Sequence, residues 1–222
     1  MQDRETAALL PHHLLMLDWW STNRRSFPWR QDGVSAYQMV VTEMLLWKTR
    51  AEMVDGVWWQ FFSTFPDVDA LAKAEEHDVQ AIIAPLGLRK RSALLVGMAK
   101  SLRARFDGVV PADRGELMSL EGVGEYVSSA VLSFHFKLDA AVFDANVRRV
   151  MFRLLGSDDE AAAKRYAESI LPPGWSAEWN YALLDLGAIV CRWKPSCLGC
   201  PLASICVTPH QKKERHASTA SG

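Results

Sequence analysis

Leu120-Glu121-Gly122-Val123-Gly124-Glu125-Tyr126 is followed, one apolar segment later, by Val142-Phe143-Asp144-Ala145-Asn146-Val147-Arg148-Arg149. These two stretches decide how the rest of the chain is read. Glycines at 122 and 124 let the backbone turn tightly and bring bare N–H groups close to a phosphate. Between the stretches, Val127, Ala130, Val131 and Phe134 trace one buried helical stripe. Asp144 then arrives one helix length away, where it could face whatever the hairpin holds. The pairing points to a protein that grips a DNA backbone and acts on the attached sugar.

Working outward, most of the chain reads as short helices. His13-Leu14-Leu15-Met16-Leu17-Asp18-Trp19-Trp20 has helical apolar spacing, and Phe27-Pro28-Trp29-Arg30 ends that helix, because proline disfavours helical geometry in the residue before it. Residues 36–62 are long and periodic, reading as two helices with a bend near 48–52. Pro66, Pro85 and Pro111 punctuate helices expected at 67–73, 77–83 and 92–106. Asp113-Arg114-Gly115-Glu116 has the spacing of a capping box. No strand alternation is sustained, so the expected class is all-α. The segment 210–222 is polar and reads as a disordered tail.

Composition sets the bounds. The chain has 222 residues, 49% of them apolar, and a net charge of −1. That charge alone argues weakly against nucleic-acid binding. The average hides a polarity, however. Arg89, Lys90, Arg91, Lys100, Arg103 and Arg105 lie in a stretch without an acid, whereas Asp158, Asp159, Glu160, Glu168 and Glu178 follow Gly156. A basic run is ordinarily a solvated helix face; beside the hairpin it reads as a phosphate-tracking surface. No apolar run approaches eighteen residues and no secretory leader opens the chain, so no membrane span is expected and a cytoplasmic location is the default.

All four cysteines fall within sixteen residues: Cys191, Cys197, Cys200 and Cys206, spaced C-x5-C-x2-C-x5-C. A disulfide pair does not suit a protein without secretion signals. Four thiolates can close a tetrahedral zinc site, or hold an iron–sulfur cubane on a compact loop. Spacing alone puts the cubane slightly ahead. In either case a metal would fasten a terminal segment that lacks its own core.

The hairpin, Asp144 and a terminal cysteine loop, in this order, resemble the helix-hairpin-helix DNA glycosylases of the endonuclease III and MutY type. Phe27-Pro28-Trp29-Arg30, Thr42-Glu43-Met44-Leu45-Leu46 and Asp185-Leu186-Gly187-Ala188-Ile189-Val190-Cys191 extend the likeness over residues 17–206. Two departures are visible: the first cysteine interval is five residues where the family usually has six, and Glu121 stands where a proline commonly precedes the hairpin. The resemblance implies a 4Fe–4S cluster on Cys191, Cys197, Cys200 and Cys206, with zinc as the lesser alternative. It implies two helical lobes flanking a DNA-binding cleft. Residues 31–136 would form a six-helix lobe carrying the hairpin, and residues 1–30 with 137–209 a discontinuous lobe carrying the cluster loop. The implied partner is double-stranded DNA with a mismatched or damaged base, bound by a monomer.

Base removal requires the target nucleotide to leave the stack and enter a pocket. Breaking its bond builds positive charge on the sugar, which a carboxylate stabilises, and negative charge on the leaving base. Asp144 is the candidate for the first role, although it also suits a helix N-cap. Glu43 sits among Val40, Val41, Met44, Leu45 and Leu46, an apolar setting that favours its protonated form. It matches the acid that protonates the base, or positions water, in MutY-like enzymes. Asn146 could orient Asp144 or a water, or simply make a structural hydrogen bond. Tyr126 occupies the slot where bifunctional members carry a lysine that attacks the sugar through a Schiff base; a phenol cannot form one. A monofunctional glycosylase with little strand cleavage follows.

The resemblance also carries contacts to DNA: Gly122, Val123 and Gly124 on a phosphate, Arg148 beside them, Leu88 as a wedge with Arg89 and Lys90 on phosphates, and Trp29 and Arg30 at the base pocket. Trp47-Lys48 stands where MutY usually has two glutamines. Trp47 could fill the hole left by the flipped base and stack on its orphan partner, with core packing as the plain alternative. Residues 86–91 lack the paired tyrosines typical of MutY, and the chain ends just after the cysteine loop. Both features favour a shorter branch that removes thymine or uracil opposite guanine. A MutY-type adenine glycosylase and a non-catalytic DNA-binding module are the alternatives.

Overall fold

In a computed structural model of the chain, residues 9–87 and 90–208 are described. Among them every regular element is helical, in agreement with the all-α expectation, and no helix is long and apolar enough to cross a membrane. Leu88, Arg89 and the expected tail at 210–222 lie outside the described residues.

The chain divides into two compact units. One is Ser26–Phe136; the other joins the segment ending at Arg25 to the one starting at Lys137. The first crossover therefore falls at 25/26 rather than at the expected 30/31. The physical reason is local: Phe27 and Trp29 stack at 4.7 Å and are buried, and the 3-10 turn Pro28–Arg30 packs on the first helix of the unit they enter.

Within Ser26–Phe136, α2 (Ala36–Leu46) and α3 (Ala51–Thr64) are the two helices expected from 36–62. They are followed by α4 (Val68–Ala72), α5 (Glu76–Ile83), α6 (Arg91–Phe106), α7 (Arg114–Met118) and α8 (Glu125–Phe134). Seven α-helices stand among the described residues of this unit where the resemblance implied six; two of them, α4 and α7, are single five-residue turns, each begun by an aspartate. The Asp67 and Asp113 carboxylates accept from the amides of Ala70 and Glu116 at 2.8 and 2.9 Å; such caps contribute about 1 kcal/mol each. Helix α6 packs on α4 and α5, and α2 packs on α8. Phe61, Leu71, Ile83, Leu95, Leu102 and Leu117 are wholly buried there. The α8 stripe of Val127, Ala130, Val131 and Phe134 is buried as its spacing requires.

The other unit holds α1 (Pro11–Asn23), α9 (Ala145–Leu155), α10 (Glu160–Ser169) and α11 (Ser176–Ile189), then the cysteine loop. Helix α11 packs on α1 and α9, around Met16, Met151, Trp179 and Leu183. A buried carboxylate stitches the N-terminal segment to α11. Asp185 is fully buried, accepts the Trp20 indole N–H at 3.0 Å, and pairs with the Arg25 guanidinium at 2.7 Å.

Candidate active site and cysteine loop

The hairpin joins α7 to α8. Gly122 has φ +76°, the left-handed region, and a Cβ there would lie 3.0 Å from Met44 Cε and 3.1 Å from Leu94 Cβ. The left-handed backbone favours glycine at 122, and a Cβ there would press on Met44 and Leu94. Gly124 differs: a Cβ there would meet nothing within 4 Å. It is the N-cap of α8 and supplies no side-chain cap, unlike Ser35, Asp67, Asp113, Asp144 and Asp159 at the starts of α2, α4, α7, α9 and α10. The first turn of α8 thereby presents main-chain donors beside open space, a setting suited to an anion. Val123 turns inward and is buried. Glu121, in place of the usual proline, folds over α6, where a Cβ on Gly97 would overlap its carboxyl group.

One residue into α8, the half-buried Tyr126 donates its hydroxyl to Glu43 Oε2 at 2.7 Å. Glu43 lies on α2 and is 1% exposed. Two of the proposed site residues, 83 positions apart, are therefore hydrogen-bonded.

Asp144 and Asn146 form a second cluster, in the other unit. Asp144 is the N-cap of α9, its Oδ1 accepting from the Val147 amide at 2.7 Å, while Asn146 Nδ2 donates to Oδ2 at 3.1 Å. The capping and chemical readings of Asp144 thus coexist. Burial pushes its carboxyl above the usual range, against the opposing pull of these hydrogen bonds and of the Arg149 charge. Arg149 fixes Asn146 in turn: Nη2 donates to Asn146 Oδ1 at 2.8 Å and to the Gly187 carbonyl at 2.7 Å, and Nε donates to the Cys191 carbonyl at 2.7 Å. A Cβ on Gly187 would come within 2.7 Å of Asn146 Cβ, so glycine lets α11 approach this cluster. Sequence reading passed over Arg149 and the role of Gly187; a lone glycine inside the apolar α11 pattern is the one legible trace of the close approach.

The remaining candidates divide. Trp47 is 47% exposed, so core packing is excluded, and Lys48 Nζ stands 4.6 Å from its ring centroid. Lys90 is exposed, whereas Leu88 and Arg89 fall outside the described residues. Arg148 is exposed and pairs loosely with Glu160 at 3.4 Å. Trp29 is 2% exposed and stacked on Phe27, which makes it a core residue instead of an open pocket wall; the Arg30 guanidinium lies 5.5 Å from the Phe27 ring centre. Arg91 departs from the basic-surface reading. It is 3% exposed, and its guanidinium serves main-chain carbonyls at the end of α2. Arg103 pairs with Asp69 and Arg105 donates to the Ser119 carbonyl, so part of that run is occupied within the protein.

The four thiols sit in one loop folded by short turns, with the Cys200 amide donating to the Cys197 carbonyl at 3.2 Å and the Ala203 amide to Cys200 at 3.1 Å. Burial raises the Cys200 and Cys206 thiols, and the other thiolates raise them further. Arg153 ties the loop to α9, donating to Cys191 Sγ at 3.1 Å and to the Arg192 and Trp193 carbonyls at 2.7 and 3.2 Å. Among the described residues, no group of three or more His, Cys, Asp or Glu side chains is close enough to hold a single metal ion.

Comparison with known proteins agrees with this arrangement. Residues 41–173 match the model of the HhH-GPD superfamily base excision DNA repair proteins. An adenine DNA glycosylase of Mycolicibacterium smegmatis is 36% identical over 194 residues, covering 85% of this chain and 66% of its own length. A thymine-DNA glycosylase of Aeropyrum pernix is 34% identical over 206 residues, covering 86% of this chain and 91% of its own. Among solved structures, a thermostable thymine-DNA glycosylase superposes with a TM-score of 0.83 at 31% identity, covering 89% of this chain and 94% of that one. An endonuclease III–DNA complex, 21% identical, shares the fold with a TM-score of 0.79 over 93% of this chain and 100% of that one. Gly122, Tyr126, Glu43 and Asp144 all lie inside the matched region, and the chain belongs to the HhH-GPD superfamily of base excision DNA repair proteins.

Proposed function

We propose that this chain is a monofunctional DNA N-glycosylase that removes thymine or uracil opposite guanine, acting as a cytoplasmic monomer on double-stranded DNA. The observation that carries the catalytic part is Asp144, a carboxylate placed by a helix cap and a carboxamide, partly withdrawn from water. On this reading the amides around Gly122–Gly124 and the first turn of α8 hold a backbone phosphate beside the extruded nucleotide. As the glycosidic bond lengthens, the ionised Asp144 stabilises the cationic sugar, and water adds at the anomeric carbon. Glu43, with Tyr126 on its Oε2, passes a proton toward the leaving base or steadies the incoming water. Thymine and uracil leave as comparatively stable anions, so Glu43 matters less for them than it would for adenine. No amine stands at position 126 to form a Schiff base, which leaves the strand uncut.

The substrate choice is supported by the likeness to thymine-DNA glycosylases in sequence and structure and by Leu88-Arg89-Lys90 where paired tyrosines would mark the adenine branch. The 36% identity to an adenine glycosylase keeps removal of adenine opposite guanine or 8-oxoguanine as the second reading. Cys191, Cys197, Cys200 and Cys206 would hold a 4Fe–4S cluster. An all-thiol donor set fits either a cubane or zinc, and the spacing with one central C-x2-C pair puts the cubane ahead. The cluster's contribution is to fasten the loop that Arg149 and Arg153 grip; it takes no part in the base-removal steps.

Labelled duplexes carrying G·T, G·U, A·G and A·8-oxoguanine, each treated with protein and then alkali, test the reading. Excision of thymine and uracil with breaks appearing only after alkali is expected. Excision of adenine with G·T and G·U untouched overturns the substrate, and breaks before alkali overturn the monofunctional assignment.

A further inference from the structure

Helix α2 ends at Leu46 without a glycine cap, and the turn after it is made by Lys48 at φ +55°, a left-handed conformation for a residue with a side chain. The last carbonyls of a helix have no partners within it. Here Arg91, the first residue of α6, supplies them. Its Nη1 donates to the Leu45 carbonyl at 2.8 Å, and its Nη2 to the Trp47 carbonyl at 2.6 Å and to Thr49 Oγ1 at 2.9 Å. The side chain is buried, and its Nε finds no acceptor. A guanidinium taken out of water and met by neutral oxygens is costly for stability alone. What it secures is a turn that displays a large aromatic ring. Trp47 is half in solvent, the C-cap of α2 four positions after Glu43, with the Lys48 ammonium over its face. Arg91 also directly follows residues 88–90, the other segment assigned to DNA.

We infer that Arg91 is a positioning residue: it locks residues 47–49 to the start of α6, so that Trp47 stands as a rigid plug that enters the duplex where the target base leaves and stacks on the orphan base. The inference rests on the proposed glycosylase reading and adds to it the group that fixes the plug. A planar guanidinium can serve three acceptors in one fork; a lysine ammonium at the same position cannot reproduce that geometry. Arg91 acts on excision only through Trp47.

Two measurements test this on the full-length protein. The first is fluorescence of a duplex with 2-aminopurine opposite a stable abasic analogue, which reads stacking and needs no excision. The parent should quench it; Trp47→Ala and Arg91→Lys should leave it bright. The second is single-turnover excision from a G·U duplex. Arg91→Lys should slow it about tenfold, the scale of a misplaced positioning group, and Arg91→Lys combined with Trp47→Ala should be no slower than Trp47→Ala alone. Thr49→Val, which removes one acceptor and leaves the arginine in place, should slow excision less, and again only where Trp47 is present; it serves if Arg91→Lys does not fold. Quenching by Arg91→Lys equal to the parent's, or multiplicative losses in the double variant, overturns the inference. A parent that quenches but removes no base contradicts the glycosylase reading and leaves the plug standing.

Discussion

Glu43 and Asp144 are both withdrawn from water, by different means. Glu43 lies inside an apolar helix, 1% exposed, with a phenol hydroxyl on one oxygen. Asp144 stands at a helix N-terminus, where a main-chain amide, a carboxamide and a nearby guanidinium all favour its ionised form, yet burial still lifts its carboxyl. Donors arranged around a carboxylate preserve a charge for use, whereas deep burial beside a phenol hydroxyl suits a group that gives or guides a proton. On the proposed reading, the contrast fits Asp144 to the sugar's charge and Glu43 to the base's proton.

The largest test of that division is to remove each acid in turn. Asp144→Asn and Asp144→Ala should both cut single-turnover excision by about 10³–10⁴-fold, at the upper end of what one charged group contributes. Only the alanine variant should also lose the α9 cap, at about 1 kcal/mol in urea unfolding. Excision kept by Asp144→Asn and lost only in Asp144→Ala would show the cap to be the function. Glu43→Gln should be milder on G·U, about 10²-fold; a loss exceeding that of Asp144→Asn reverses the assignment.

The fold was legible wherever local chemistry spoke. The bend after Leu46, the aspartate starts of α7 and α9, and the α8 stripe follow from spacing and capping alone. What was not legible depends on where distant helix ends arrive. Arg91 sits in a run of bases that reads as surface, and nothing in that run reveals that the carbonyls of α2 terminate against it. Arg149 is similar, because its acceptors are the carbonyls of Gly187 and Cys191. Trp29 illustrates the opposite error, a motif residue assigned to a pocket that packing on Phe27 places in the core.

The hairpin glycines sharpen the comparison further. Gly124→Ala should fold normally, since its Cβ meets nothing, and on the proposed reading weaken duplex binding about tenfold by shielding the amides at the start of α8. Gly122→Ala should instead destabilise by about 1–2 kcal/mol, from the left-handed backbone. Thermal melts beside binding titrations separate them; a stable Gly122→Ala or an unfolded Gly124→Ala contradicts the geometry.

The smallest effect is on pH dependence. If the ionised Asp144 is the working form, as proposed, excision should fall in acid as pH drops through a value above 3.8. The stability contribution has the opposite sign. With the folded value raised, it is fully present below 3.8 and lost as pH rises through the folded value. Relative to Asp144→Asn, the parent should therefore lose stability over that window, read as diverging urea midpoints. Midpoints that run parallel would remove the burial argument.

The central claim is most directly met by a cationic sugar mimic. Duplexes carrying a pyrrolidine at the target site, or its neutral tetrahydrofuran counterpart, are titrated against the parent and Asp144→Asn. The parent should prefer the cation by about a hundredfold, the lower range for a transition-state mimic, and the variant should lose that preference while binding the neutral duplex as before. Equal affinity of the parent for both, or a preference that survives in Asp144→Asn, contradicts the account.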